Sequence, residues 1–89
     1  MIYPYMTLSD GTEIVHTQLL NNNGNECVEV HFERPSDNGF ESARCSLPEY
    51  KWLLRDGFTD KEIQWFEEFL RHNAHLIFRF ASSGGVCCA

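Results

Sequence analysis

Residues 58–81, FTDKEIQWFEEFLRHNAHLIFRFA, form the longest segment of the sequence that reads as a single element. Thr59 and Glu62 have the spacing of a capping box, in which a hydroxyl and a carboxylate each take one of the unpaired N–H groups at a helix start. Phe58 and Ile63 fall at the two positions of a hydrophobic staple around that cap. Behind it Ile63, Phe66, Phe69, Leu70, Leu76, Ile77 and Phe80 recur at intervals of three and four, which at about 100° per residue gathers them on roughly a third of the circumference. The spacing predicts a helix from Asp60. Asn73, inside the stripe, is a good N-cap, so a break at His72-Asn73 into two helices is the alternative. The stripe keeps its phase across that site, which favours one continuous helix.

Such a stripe needs an apolar surface to cover, and the preceding residues supply one. Tyr3 to Leu8 and Thr12 to Leu20 are β-prone runs flanking Ser9-Asp10-Gly11, and an Asp-Gly pair between such runs is a strong hairpin signal because Gly accepts positive φ. Setting Ser9 opposite Thr12 places Met6 across from Val15. Asn21-Asn22-Asn23-Gly24-Asn25 is a polar turn. With Asn22 to Asn25 as its loop, Val15 faces Phe32, Thr17 faces Val30 and Leu19 faces Val28. Pro35-Ser36-Asp37-Asn38-Gly39 makes the next turn, and pairing Pro35 with Phe40 brings Ala43, Cys45 and Leu47 beside Phe32, Val30 and Val28.

Pro48 has no N–H to give to a ladder and suits a first helical turn, so it is expected to end the sheet. Tyr50, Leu53 and Leu54 then fit a short amphipathic helix stopped by Asp56-Gly57. The expectation is a single α+β domain over residues 1–83. It consists of a four-stranded antiparallel meander followed by a short and a long C-terminal helix packed on one sheet face. Residues 84–89 are expected to be a flexible tail.

Eighty-nine residues suffice for one domain and not for two. Seven Phe, three Tyr and two Trp let so small a core bury enough area to fold without a metal or a disulfide. Thirteen acidic against seven basic residues give a net charge of −6, which repels phosphate backbones, so direct nucleic-acid binding is not expected. The same charge steers a basic protein partner and also serves solubility. The N-terminal residues MIYPYMTLSDG have neither the cationic start nor the apolar run of a signal peptide, and no apolar run nears the roughly 18 residues of a membrane span. A cytoplasmic location, no membrane association and reduced cysteines are the expectation.

Cysteines and histidines are the natural place to seek a site. Cys27 and His31 lie on one strand, about 13 Å apart at 3.3 Å per residue, too far to share an ion. His72 and His75, at i and i+3 on the helix, could ligate a metal, but no HExxH-type frame or spaced Cys pair completes a set. Cys45 and His31 could imitate a thiol–imidazole dyad, yet the register puts them on opposite faces, which makes Cys45 a small buried apolar residue. Trp65, at the margin of the stripe, is read as core-edge packing, with an exposed anchor as the alternative. Cys87-Cys88 is similar over two residues to the prenyl-accepting double-cysteine ends of small GTPases, and incidental terminal thiols are the expectation.

No glycine-rich phosphate loop, nucleophile elbow or paired acid motif appears, so catalysis and cofactors are not expected. The inferred register instead makes His16 and His31 cross-strand neighbours on the helix-free face, with Tyr5, Ile14 and Arg44 around them. The leading expectation is a non-catalytic, small acidic protein-interaction module of accessory or regulatory kind. It would act through Tyr5, Ile14, His16, His31 and Arg44, on a protein partner or on itself as a homodimer. One alternative is an acidic inhibitor or antitoxin-like protein that neutralises a basic partner or mimics nucleic acid, with Glu29, Glu33, Glu41, Glu67 and Glu68 as charge donors. The other is a small metal-binding protein using the histidine pairs.

Overall fold

Helix α1 (Asp60–Ser82) begins at the capping box: the Glu62 N–H donates to Thr59 Oγ1 at 3.2 Å and the Thr59 N–H to Glu62 Oε1 at 2.9 Å. The computed structural model describes residues 2–37 and 39–82, and within them α1 runs through Asn73 without a break. The expected tail and its Cys87-Cys88 pair lie outside the described residues. Asn73 acts as a tie rather than a cap. Its Nδ2 donates to the Phe69 carbonyl at 2.8 Å, and its Oδ1 accepts the Tyr5 hydroxyl at 2.8 Å.

Against α1 lies an antiparallel sheet of six strands, β1 (Ile2–Thr7), β2 (Glu13–Thr17), β3 (Leu20–Asn22), β4 (Asn25–Ser36), β5 (Gly39–Leu47) and β6 (Lys51–Asp56). The order across it is β1-β2-β4-β5-β6, with the short β3 also paired to β4. The β4–β5 hairpin has the expected register, with Val28, Val30 and Phe32 opposite Leu47, Cys45 and Ala43. All six are fully buried. Ile63, Phe66, Leu70, Ile77 and Ala81 of α1 close over them. Phe32 and Phe66 stack with centroids 4.2 Å apart, and Phe58 meets Phe66 edge-on at 5.1 Å. A side chain such as Phe32, removed wholly from water, contributes about 1.5–3 kcal/mol through burial.

Three expectations are corrected. The short helix after Pro48 is instead strand β6, and the expected run Thr12 to Leu20 is divided between β2 and β3, so the described residues form six strands and one helix. The i, i+3, i+4 spacing of Tyr50, Leu53 and Leu54 fits a helix, but the outer backbone groups of β5 need partners, and pairing from Ser42 with Asp56 to Ser46 with Lys51 supplies them. Pro48 sits in the connecting turn, with a cis Leu47–Pro48 peptide and Tyr50 at φ 57°.

The β1–β2 turn holds three residues rather than two. The Leu8 N–H donates to the Thr12 carbonyl at 2.8 Å and the Gly11 N–H to the Leu8 carbonyl at 3.0 Å. Gly11 takes φ 92°, the left-handed position of a three-residue hairpin loop. Met6 therefore pairs with Ile14, and a bulge between Pro4 and Met6 follows.

The third correction decides the faces of β2. At the Asn23-Gly24 turn the register is the expected one, with Leu20 opposite Cys27. Further along, Ile14 rather than Val15 lies opposite Phe32, and His16 lies opposite Val30. Thr17, Gln18 and Leu19 fill a span that β4 crosses with Val28 and Glu29 alone. The extra residue is accommodated by Thr17, whose Oγ1 accepts the Glu29 N–H at 3.1 Å and donates to the Gln18 carbonyl at 2.8 Å. A one-residue offset turns every side chain of a strand over, so Ile14 and His16 point into the core and Val15 points out.

Candidate interaction surface

Helix α1 packs mainly across β2 and β4 on one side of the sheet, and among the described residues the opposite side carries no helix. Following partners across the strands gives one continuous outer row: Pro4, Val15, His31, Arg44 and Leu54. A neighbouring row contains Glu13, Glu33, Ser42 and Asp56, with Glu13 directly opposite Glu33. On the other flank Glu29 pairs with Ser46, and Ser46 with Lys51. His31 is enclosed by this row, its side chain only 12% exposed and its Nε2 3.4 Å from Glu29 Oε1. The face is thus an aliphatic and imidazole centre carrying four carboxylates against Arg44 and Lys51.

The five residues named from sequence do not form one surface. His31 and Arg44 are cross-strand partners on the outer face. Ile14 and His16 are fully buried under α1, because the extra residue beyond His16 reverses β2. Tyr5 also belongs to the covered side: its hydroxyl is bonded to Asn73, and its ring lies 6.1 Å from Phe69 and 6.0 Å from Phe80. Burial pushes its phenol up, so it remains a donor. His16 is held by Tyr3 and Tyr5 with centroids at 5.7 and 6.3 Å, and its Nδ1 lies 2.8 Å from the Thr17 carbonyl. With Nδ1 donating to that carbonyl, Nε2 is left without a partner among the described residues. The two imidazoles are therefore on opposite faces, and the proposed His16–His31 pair does not exist.

Val15, Leu54, Pro4 and Glu13 replace them, and sequence reasoning missed all four. For Val15 the available signal was the Thr17-Gln18 pair between two apolar stretches. For Leu54 it was the β-prone Trp52 beside it.

The acidic residues divide in the same way. Glu29 and Glu33 are on the outer face, whereas Glu67 accepts the Trp52 indole N–H at 2.7 Å and Glu41 is bound to Arg34. Arg34 is the hub of the covered side: it reaches Glu41 at 2.6 Å, Glu62 at 2.5 Å and Asp10 at 3.3 Å, and its guanidinium lies 4.8 Å from the Phe58 ring centroid. The Arg34 guanidinium, with the Thr59 N–H, holds the Glu62 carboxyl below its ordinary range. The Thr12 N–H, with Arg34 assisting, does the same for Asp10. Beside this cluster Leu8, Ser9, Trp65 and Phe66 line a cleft of about 310 Å³. Trp65 is both packed and open, stacked on Phe69 at 5.7 Å while 48% exposed.

Cys45 is buried opposite Val30, away from His31, and burial pushes its thiol up to about 12, which keeps it protonated and unreactive. His72 and His75 are exposed on α1. Among the described residues no three His, Cys, Asp or Glu side chains are grouped to hold a metal ion, and no helix is long and apolar enough to cross a membrane. No protein-family model, curated protein or solved structure matches this chain.

Proposed function

We propose that this chain is a non-catalytic protein-interaction module that presents its helix-free sheet face to a basic protein partner. The observation that carries the reading is the outer row Pro4, Val15, His31, Arg44 and Leu54, bordered by Glu13 directly opposite Glu33. Like charges set directly across a strand pair cost stability. Residues that work against the fold where nothing structural requires them are the mark of a binding surface. A cationic partner relieves that repulsion and covers Val15 and Leu54. A second copy stacked face to face sets its own Glu13, Glu29, Glu33 and Asp56 against these carboxylates and repels instead.

The experiment is capture on the immobilised chain at low salt, compared with Glu33→Lys and Val15→Arg variants. A basic protein retained by the wild type, lost from both variants and released as ionic strength rises supports the reading. A protein held equally by all three, or indifferent to salt, refutes it. Self-association through the same face would show as a dimer that Val15→Arg dissociates.

A further inference from the structure

The two edges of the sheet are unlike. Strand β1 carries Pro4, which has no N–H to offer, an ordinary protection of an edge; both edge strands are bulged, β1 between Pro4 and Met6 and β6 at Leu53. Strand β6, the other edge, has no proline and no neighbour on its outer side among the described residues. It exposes Leu53 at 48% and Leu54 at 39%. Helix α1 reaches the inner side of β6 through side chains, Glu67 to the Trp52 indole and Asp60 to Arg55, while among the described residues no strand pairs with the outer backbone of β6.

From the order of charges in Lys51-Trp52-Leu53-Leu54-Arg55-Asp56 we infer that β6 is a self-recognition edge, pairing antiparallel with β6 of a second copy about a two-fold axis. In that register Lys51 faces Asp56 of the second copy, Trp52 faces its Arg55 and Leu53 faces its Leu54. Each chain contributes the same contacts, giving two ion pairs, two cation–aromatic pairs and a central leucine cluster.

The bulge in β6 makes this register sterically consistent. Residues 52 and 55 of a regular strand point to opposite faces, and cross-strand partners must share a face. Here Leu53 is an extra residue: Leu54 pairs with Arg44 and Trp52 with Cys45, so the alternation is reversed between them. Trp52 and Arg55 accordingly lie opposite Cys45 and Ala43, both core-side, while Lys51 and Asp56 lie opposite Ser46 and Ser42, both on the outer face. Moving the register by one residue sets Lys51 against Arg55, which joins like charges on opposite faces. Arg55 is engaged at 2.6 Å with Asp60, whose side chain is 95% exposed, and an ion pair so open to water yields readily to a competing contact. Six paired residues per chain form an interface at the small end of the specific range, so the dimer is weak and concentration-dependent.

Lys51, Leu54 and Asp56 also belong to the open face, so Val15→Arg, which lies outside the edge, separates this inference from the partner proposed there. The test is sedimentation velocity of the full chain across a concentration series, for the wild type, Lys51→Asp, Asp56→Lys and the double variant. All four keep exposed surface positions, and circular dichroism verifies their folding. Each single swap places like charges at two symmetric positions and should weaken dimerisation about tenfold or more, and the double swap should restore it. A chain monomeric at every concentration overturns the inference. So does a dimer unaffected by the single swaps, or one that the double swap fails to restore. Val15→Arg, which disables the open face, leaves this dimer intact.

Discussion

Arg34 binds three carboxylates from three separate parts of the chain, Asp10 in the first turn, Glu41 on β5 and Glu62 in the first turn of α1. Replacing it with methionine keeps an unbranched apolar stem but removes the guanidinium that lies over Phe58 and leaves those carboxylates facing one another. Arg34→Met should cost about 1–3 kcal/mol at neutral pH, since breaking one side of a partly buried network strands the other. The pH dependence has a definite sign. Asp10 and Glu62 titrate in the folded chain below their ordinary values of 3.8 and 4.5. The stability they confer is whole above those values and is lost as pH falls through the lowered ones. The gap between wild type and Arg34→Met should therefore narrow as pH drops below about 5 in urea titrations. A gap that stays constant would show that Arg34 acts through packing alone. None of this cluster was read from the sequence, because three carboxylates separated by up to 52 residues meet at one arginine only once the strands are in register.

At the scale of elements, α1 was legible throughout because its cap, its staple and its stripe are all local. The β4–β5 hairpin was legible too, since a turn cluster and strict alternation agree on one register. Strand β6 was not, because Tyr50, Leu53 and Leu54 carry a helical spacing, and only the presence of unpaired backbone on β5 decides otherwise. The connection from β6 to α1 depends on Gly57. It adopts φ 96°, and a methyl added there would lie 2.6 Å from Glu41 Cγ and 2.9 Å from its Cβ. Glu41 cannot swing aside at its own Cβ, and its carboxylate is tied to Arg34. Gly57→Ala should therefore destabilise by about 1–3 kcal/mol, combining left-handed strain with a clash. Thermal unfolding of the variant checks this, and an unchanged midpoint would mean that the turn can relax.

For the molecule as a whole, the layer architecture was readable, a C-terminal helix on one face of an antiparallel sheet following from the two apolar surfaces that must meet, although the second helix expected beside it is strand β6. The identity of the open face was not, since it rests on a single uncounted residue between His16 and Leu20. That residue works like a reading frame. Everything upstream of it, β2 and through it β1, takes its inside and outside from whether three residues of this sequence or two lie opposite Val28 and Glu29. Gln18 is exposed, so Gln18→Ala should shift stability by less than about 0.5 kcal/mol in urea denaturation. Deleting Gln18 leaves Thr17 and Leu19 opposite Glu29 and Val28, so His16 stays opposite Val30 and Ile14 opposite Phe32, and the loss should be only the Thr17 bridge around the extra residue, about 0.5–1.5 kcal/mol in the same denaturation. A loss of about 3 kcal/mol or more would show instead that β2 had turned over. In this chain the exposed arm carries one residue of slack, which the ladder can lose without exchanging the inside of β2 for its outside. Homologous sequences should accordingly substitute freely at Gln18 and tolerate its loss, while keeping apolar or aromatic side chains at the positions of Ile14 and His16.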